Sequence, residues 1–402
     1  MTITTPVKPR KTILSLLAFG LALGTLHIPS AQAGELPTRD EMWKIIQQQQ
    51  RAIDILKGRQ ADAREDIQDA QQGLRSVQAN VEKSAGLGGL PEGVSISSVV
   101  EVEANHNSDY AGTDTSDITL ATAELGIEAQ VNEWVSANMI FLYEDPGPVD
   151  IDEDSITIGN TEQFPLYLTA GKIKIPFGGL ETQLVTDPLT LTIGEAGEVA
   201  IVVGFEASGF SGSVYAFNGD IDKTGSDNAI AHGGVKLGYG MESDNMSFNI
   251  GAGYLNNIAD VDGITPGTAT IQNLIGGYTI HSMLGMGGFT LIGEYITADK
   301  SFQAAELAWK TGGAKPSAWQ TELGYTFELT GRETTIAANY QGTDEALAVG
   351  LPEARVAVGA SMALFENTTL AVEWMHDEDY GVADGGTGND ANTATMKLAV
   401  EF

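Results

Sequence analysis

The chain has 402 residues, with 21 Lys+Arg against 54 Asp+Glu and a formal charge of −33. Such a balance excludes nucleic acid as a partner, because phosphate is bound through basic surfaces. Cysteine is absent, which excludes disulfides, thiol nucleophiles and Cys-ligated metal, and no run of eighteen apolar residues is present to make a membrane helix. A membrane β-barrel stays open, since alternating strands hide their hydrophobicity from averages, and the 48 glycines suit one.

In chain order, Lys8, Arg10 and Lys11 come first, then an apolar run from Ile13 to Leu26, then Pro29 and Ala31-Gln32-Ala33. This is the grammar of a secretory signal peptide over residues 1–33, too short to span a bilayer, with cleavage after Ala33. Its removal takes basic residues and no acidic one, so the mature chain is more acidic still. Export without cysteine suits the periplasm or the bacterial outer membrane.

Residues 34–85 read as a periplasmic coiled-coil helix. Steps of seven from Ile46 give Ile53, Gln60, Ile67, Leu74 and Val81, and the companion positions read Gln49, Leu56, Ala63, Ala70 and Val77. That is a sustained heptad pattern, and so short a coil needs partner strands, which predicts a homotrimer. The competing reading is an amphipathic helix packed on its own domain. Gly86, Gly88, Gly89 and Pro91 mark a hinge over residues 86–93.

Residues 94–402 predict an all-β fold, a 16-stranded antiparallel transmembrane barrel of porin type. Strands fall near 94–105, 117–130, 133–144, 151–158, 165–175, 198–206, 210–217, 229–240, 245–255, 272–283, 288–298, 317–329, 332–341, 353–364, 367–377 and 392–402. Ala394, Met396, Leu398, Val400 and Phe402 share one face of the last strand, and Thr395, Lys397, Ala399 and Glu401 the other. Short links alternate with long, acidic ones, the rim asymmetry of outer-membrane barrels. The carboxylates Glu101, Glu103, Glu124, Glu128, Glu294, Glu322, Glu328 and Glu373 then face the lumen. Trp134, Tyr143, Tyr167, Tyr254, Trp319, Trp374 and Phe402 are assigned to interfacial girdles, and Phe402 is also read as the assembly signal.

Five scattered histidines (His27, His106, His232, His281, His376) and the lack of G-x-S-x-G argue against an enzyme, and no cofactor or metal site is expected. The acidic runs Asp150–Asp154 and His376–Asp379 are placed in long loops, as solvated surface or as carboxylates bridging lipopolysaccharide through divalent cations. Asp220–Gly225 resembles the start of an EF-hand loop, but Ala231 stands where the closing Glu belongs.

The segment Gly171-Lys172-Ile173-Lys174-Ile175-Pro176-Phe177-Gly178 is more informative. Alternation puts Ile173 and Ile175 toward lipid and Lys172 and Lys174 into the lumen. The loop that follows, around Leu184, Val185, Leu189 and Leu191, is too apolar to rest in water. It is expected to fold inward as a constriction, with Lys172 and Lys174 opposite Glu181, Asp187, Glu195 and Glu198. The competing reading packs it over a subunit contact.

Together with Thr186–Leu191, Gly204-Phe205-Glu206 and Ser213–Asp220, this segment resembles the LbtU-type siderophore porin family. More distantly, the GKxKxPF and FNGD elements resemble phosphate-selective porins. The first resemblance implies uptake of ferric siderophore or a similar small solute, by diffusion, since nothing upstream is large enough for a plug. Alternatives are a general or anion-selective diffusion porin, and a structural protein tethering the envelope through its coil.

Overall fold

Apolar and polar side chains alternate from Val94 onward because every strand must satisfy two solvents, and a ring of such strands leaves no unpaired edge. The computed structural model, which describes residues 91, 93–225, 230–243, 245–268 and 270–402, has this form. The predicted signal peptide, coil and most of the hinge lie outside the described residues.

Sixteen antiparallel strands close in sequence order. They are β1 Val94–Ser108, β2 Asp114–Asn132, β3 Val135–Tyr143, β4 Asp150–Asn160, β5 Phe164–Lys174, β6 Gly197–Ala207, β7 Phe210–Phe217 and β8 His232–Ser243. The second half comprises β9 Met246–Leu255, β10 Gly277–Met286, β11 Phe289–Ala298, β12 Ser317–Leu329, β13 Arg332–Asp344, β14 Ala354–Phe365, β15 Thr368–Glu378 and β16 Asp390–Glu401. The seam joins β1 to β16 from Val99 opposite Glu401 to Ser108 opposite Asn392. Three short links, Ser208-Gly209, Gly287-Gly288 and Thr330-Gly331, have positive φ at both residues, the two-residue turn that matches strand twist.

The strand count matches the sequence reading, while several boundaries move. β8 and β10 begin later than 229 and 272, and Gln272 belongs to a loop, its N–H bound by Glu306 Oε1 at 2.6 Å. The run Asp150–Asp154, expected in a loop, opens β4, and His376–Glu378 ends β15. A register shift lets β4 carry adjacent carboxylates, while Arg355 holds Asp377 through two bonds of 2.7 and 2.9 Å.

Outward positions are exposed and apolar, among them Ile156, Leu168, Ile201, Leu237, Leu323 and Val358. Rings gather in two bands. Phe210, Tyr239, Phe289, Tyr325 and Phe402 lie toward the short turns, and Tyr254, Tyr278, Tyr295, Trp319, Tyr340 and Trp374 toward the long loops. Tyr167 is a correction. It alternates with exposed Leu166 and Leu168 and turns inward, where a Cβ on Gly204 would lie 2.2 Å from its ring.

The long links are not loose. Ile258, Val261 and Ile271 from the β9–β10 link and Phe302 from the β11–β12 link pack with Leu255 at the end of β9 and with Phe177, Leu189 and Ile193 into one buried apolar cluster. Burial of this area, at about 25 cal/mol per Å², holds the loops against the wall.

Candidate pore constriction

The link from β5 to β6, residues 175–196, crosses the inner surface of the barrel instead of projecting from it. Carboxylates on distant strands take up its backbone donors in turn. Glu294 of β11 accepts from Gly179 N (2.6 Å), Leu180 N (3.0 Å) and Thr190 Oγ1 (2.9 Å). Glu322 of β12 accepts from Thr182 Oγ1 and Gln183 N, both at 2.6 Å. Glu373 of β15 accepts from Val185 N (2.6 Å) and Thr186 N (3.2 Å). Gln341 of β13 takes Leu189 N at 2.6 Å, and Lys236 of β8 donates to Gly178 O at 2.6 Å.

This pattern has a simple cause. A loop inside a barrel cannot hydrogen-bond to itself throughout, so its N–H groups need acceptors from the wall. Bonds to a charged acceptor contribute about 1.5–3 kcal/mol each. Two glycines on the wall make room for the approach: a Cβ at Gly324 would lie 1.5 Å from Gln183 Oε1, and one at Gly359 2.7 Å from Leu184. The loop closes with one helical turn, Leu189–Thr192, before rejoining β6.

The two predicted faces of β5 are exchanged. Ile173 and Ile175 are 9% and 5% exposed and belong to the interior apolar cluster, not to lipid. Lys172 is registered with Asp154 and with Val199, which is 70% exposed on the outer face, and not with the lumen. Alternation defines two faces without saying which is inside. Here the inward loop demands an apolar floor, so the isoleucines take the interior.

Lys174 sits at the strand end in ion pairs with Glu195 (2.9 Å) and Asp152 (3.2 Å), so its charge is met locally and not across a gap. Glu181 is exposed on the loop, and its carbonyl accepts from Gln320 Nε2 at 3.0 Å. Glu198 is registered with Ile173 on the inner side and lies near Asp220, Asp260, Asp262 and His232.

Asp187 is exposed beyond the loop's far anchor. Surrounding protein desolvates its carboxyl and pushes it above the usual range; Lys397 pulls it back, and Glu195, Glu101 and Glu373 push it up again. Lys397 pairs with Glu101 at 3.1 Å across the seam. Asp187 thus faces an acidic wall of β16 and β1, where the cation that acts on it, Lys397, is already engaged by Glu101. Alternation identified Glu101, Glu294, Glu322 and Glu373 as lumenal, but not that three of them are loop anchors. The places of Lys236 and Lys397 carried no sequence signal beyond strand parity.

No family model matches the chain. A UPF0422 protein of Coxiella burnetii is 30% identical over 322 residues, covering 76% of this chain and 69% of that protein. One from Legionella pneumophila (strain Lens) is 29% identical over 357 residues, covering 77% of this chain. The chain spans 66% of the length of that Legionella relative. Among solved structures, an anion-selective porin from Comamonas acidovorans matches with a TM-score of 0.55 at 13% identity, over 77% of this chain and 99% of that one. OprB of Pseudomonas putida matches at 0.56 and 10% identity, over 77% and 94%. The fold is therefore that of outer-membrane porins.

Proposed function

The chain belongs to the UPF0422 family, and from that membership and its porin-like barrel we propose that it is a passive outer-membrane channel for small solutes. The observation that carries this reading is the β5–β6 loop anchored inside the barrel by Glu294, Glu322 and Glu373. Anchors on three distant strands hold the loop across the inner surface of the barrel, where it narrows the lumen, and a narrowed lumen is what selective diffusion requires. The apolar outer face and two aromatic bands support residence in the outer membrane among lipid and lipopolysaccharide.

The constriction lies between Asp187 and Glu195 on the loop and the wall bearing Glu101, Glu103 and Lys397. Ferric siderophore is the solute suggested by the resemblance of Gly171–Gly178, Thr186–Leu191, Gly204–Glu206 and Ser213–Asp220 to the LbtU-type family, and general or anion-selective diffusion is the broader reading. In this proposal residues 34–85 form a periplasmic coil that helps three copies associate.

The test is reconstitution in planar bilayers together with growth on a defined ferric siderophore. Stable ohmic steps, with growth lost on deletion of the gene and restored by the wild-type chain, support both parts. Conductance without any effect on growth removes the siderophore and keeps the channel. Absence of conductance from folded barrel removes the channel.

A further inference from the structure

The wall carboxylates do not hold the whole of the constriction loop. Its return into β6 is held by the β9–β10 link. Asp262 N donates to Glu195 O at 2.9 Å, and the Asp262 carboxylate accepts from Gly197 N at 3.1 Å. Gly263 comes so close that a Cβ there would lie 2.0 Å from Thr192 O. Ile258 and Val261 of the same link share the buried apolar cluster with Leu189 and Ile193 of the loop. Segments packed this closely transmit displacement from one to the other.

Two residues before Asp262 stands a buried pair. His232, the first residue of β8, bonds Asp260 through Nδ1, and the two are 3% and 5% exposed. Asp260 takes its other donors from two links: Asp220 N (3.1 Å) and Ile221 N (3.0 Å) of β7–β8, and Asn257 Nδ2 (2.9 Å) of β9–β10. Gly219 permits this approach. Its φ is 73°, and a Cβ there would lie 2.6 Å from His232 Nδ1. The pair therefore ties two long links at the mouth to β8, beside the joint that holds the constriction loop.

Carboxylates crowd the pair. Glu198 of β6, Asp220 and Asp222 of the β7–β8 link and Asp262 of the β9–β10 link lie about it. Lys174 of β5, whose charge reaches Asp262, is already paired with Glu195 and Asp152, and Lys223 is exposed. His232 stands three positions beyond Val235, the residue opposite Tyr254 of the long-loop aromatic band, and so outside the lipid-facing zone. Burial alone would lower its pKa. The bond to Asp260 and the charges of Asp260, Asp222 and Glu198 outweigh burial and raise the ring above its ordinary value.

We propose that His232 is a positioning residue for the constriction, acting through Asp260: a proton on its ring keeps the Glu195 end of the loop docked, and loss of that proton loosens it. The inference rests on the channel reading and not on the solute. While the ring is charged it offsets the surrounding carboxylates; once neutral, it leaves them to repel one another in a poorly solvated place. The docked ring holds its proton more tightly than an undocked one. Its stabilisation of docking is therefore full below the ordinary imidazole value and is lost as pH rises through the raised one.

The chain has no cysteine, so Thr192→Cys, half-buried against Gly263, places a lone thiol at the joint of loop and link. Its maleimide labelling rate is followed from the imidazole range upward in folded, detergent-solubilised barrel, with His232 and with His232→Asn. Asn keeps a donor for Asp260 and removes the titration, and the ratio of the two rates cancels the thiol's own ionisation. The ratio is expected to rise several-fold toward one with increasing pH. Open-state noise in planar bilayers is expected to rise over the same window, in the wild type and in His106→Asn but not in His232→Asn. A flat ratio, or a noise limb that persists in His232→Asn, overturns the proposal. If His232→Asn fails to fold, Asp222→Asn decides: it removes one charge acting on the ring and moves the labelling limb to lower pH, and an unmoved limb overturns the proposal. Folded barrel with the labelling limb but no conductance overturns the channel reading and leaves proton-dependent docking standing, whereas conductance with a flat ratio overturns the docking alone.

Discussion

Glu322 shows how much one side chain does in this barrel. Its two oxygens accept from Thr182 Oγ1 and Gln183 N, and an amide in its place keeps one acceptor for Gln183 N, reverses the bond to the Thr182 hydroxyl and removes the charge that strengthens both. Glu322→Gln is expected to weaken loop docking by about 1–3 kcal/mol. Single-channel recordings then show added open-state noise or larger steps, with the barrel's heat-modifiable migration unchanged. Asp187 gives a pH-dependent counterpart. Its carboxyl is raised, so the docked loop binds that proton more tightly than an undocked one. The resulting stabilisation is full below the ordinary carboxylate value and is lost as pH rises through the raised value. Negative charge appears at the constriction over the same window, so reversal potentials under a salt gradient are expected to move toward cations there. Asp187→Asn flattens that limb, and Lys172→Glu, on the outer face, leaves it in place.

At the scale of elements, strands were legible because a period of two recurs whatever surrounds them. Ends were less so: Asp150–Asp154 reads as loop by charge, yet a register shift accommodates it in β4. The last strand carries the clearest pattern and closes the ring through backbone bonds, Ser98 N to Phe402 O (2.7 Å) and Phe402 N to Ser98 O (3.0 Å). Its ring is 72% exposed, at the short-turn rim. Deleting Phe402 removes both bonds and the ring together. The yield of folded, heat-modifiable barrel in the outer membrane is expected to fall sharply, whereas Phe402→Tyr, which keeps the backbone and an aromatic ring, retains most of it.

For the whole molecule, the proposed reading assigns passage to the barrel and association to the heptads. Ile53→Asn combined with Ile67→Asn puts unpaired amides into the predicted coil core, each costing about 1–3 kcal/mol. Sedimentation in mild detergent is expected to show a smaller species than wild type, while conductance per barrel is kept. Deleting residues 37–83 separates the envelope-tether alternative, which expects loss of wall attachment with conductance intact.

The sequence by itself determined the strand number, the short and long rims, the acidic interior and the unsuitability of residues 175–196 for water. Each depends on local order, turn chemistry or composition, and these survive without knowledge of partners. Tertiary structure alone decided which side of β5 is inside. The alternation of Lys172, Ile173, Lys174 and Ile175 is unchanged by inversion, and only the apolar cluster beneath the loop breaks the tie. It also decided the anchors: Gln183 and Glu322 are 139 positions apart. A hydrogen bond over that distance exists only once the ring has closed and brought β5 and β12 to face one lumen.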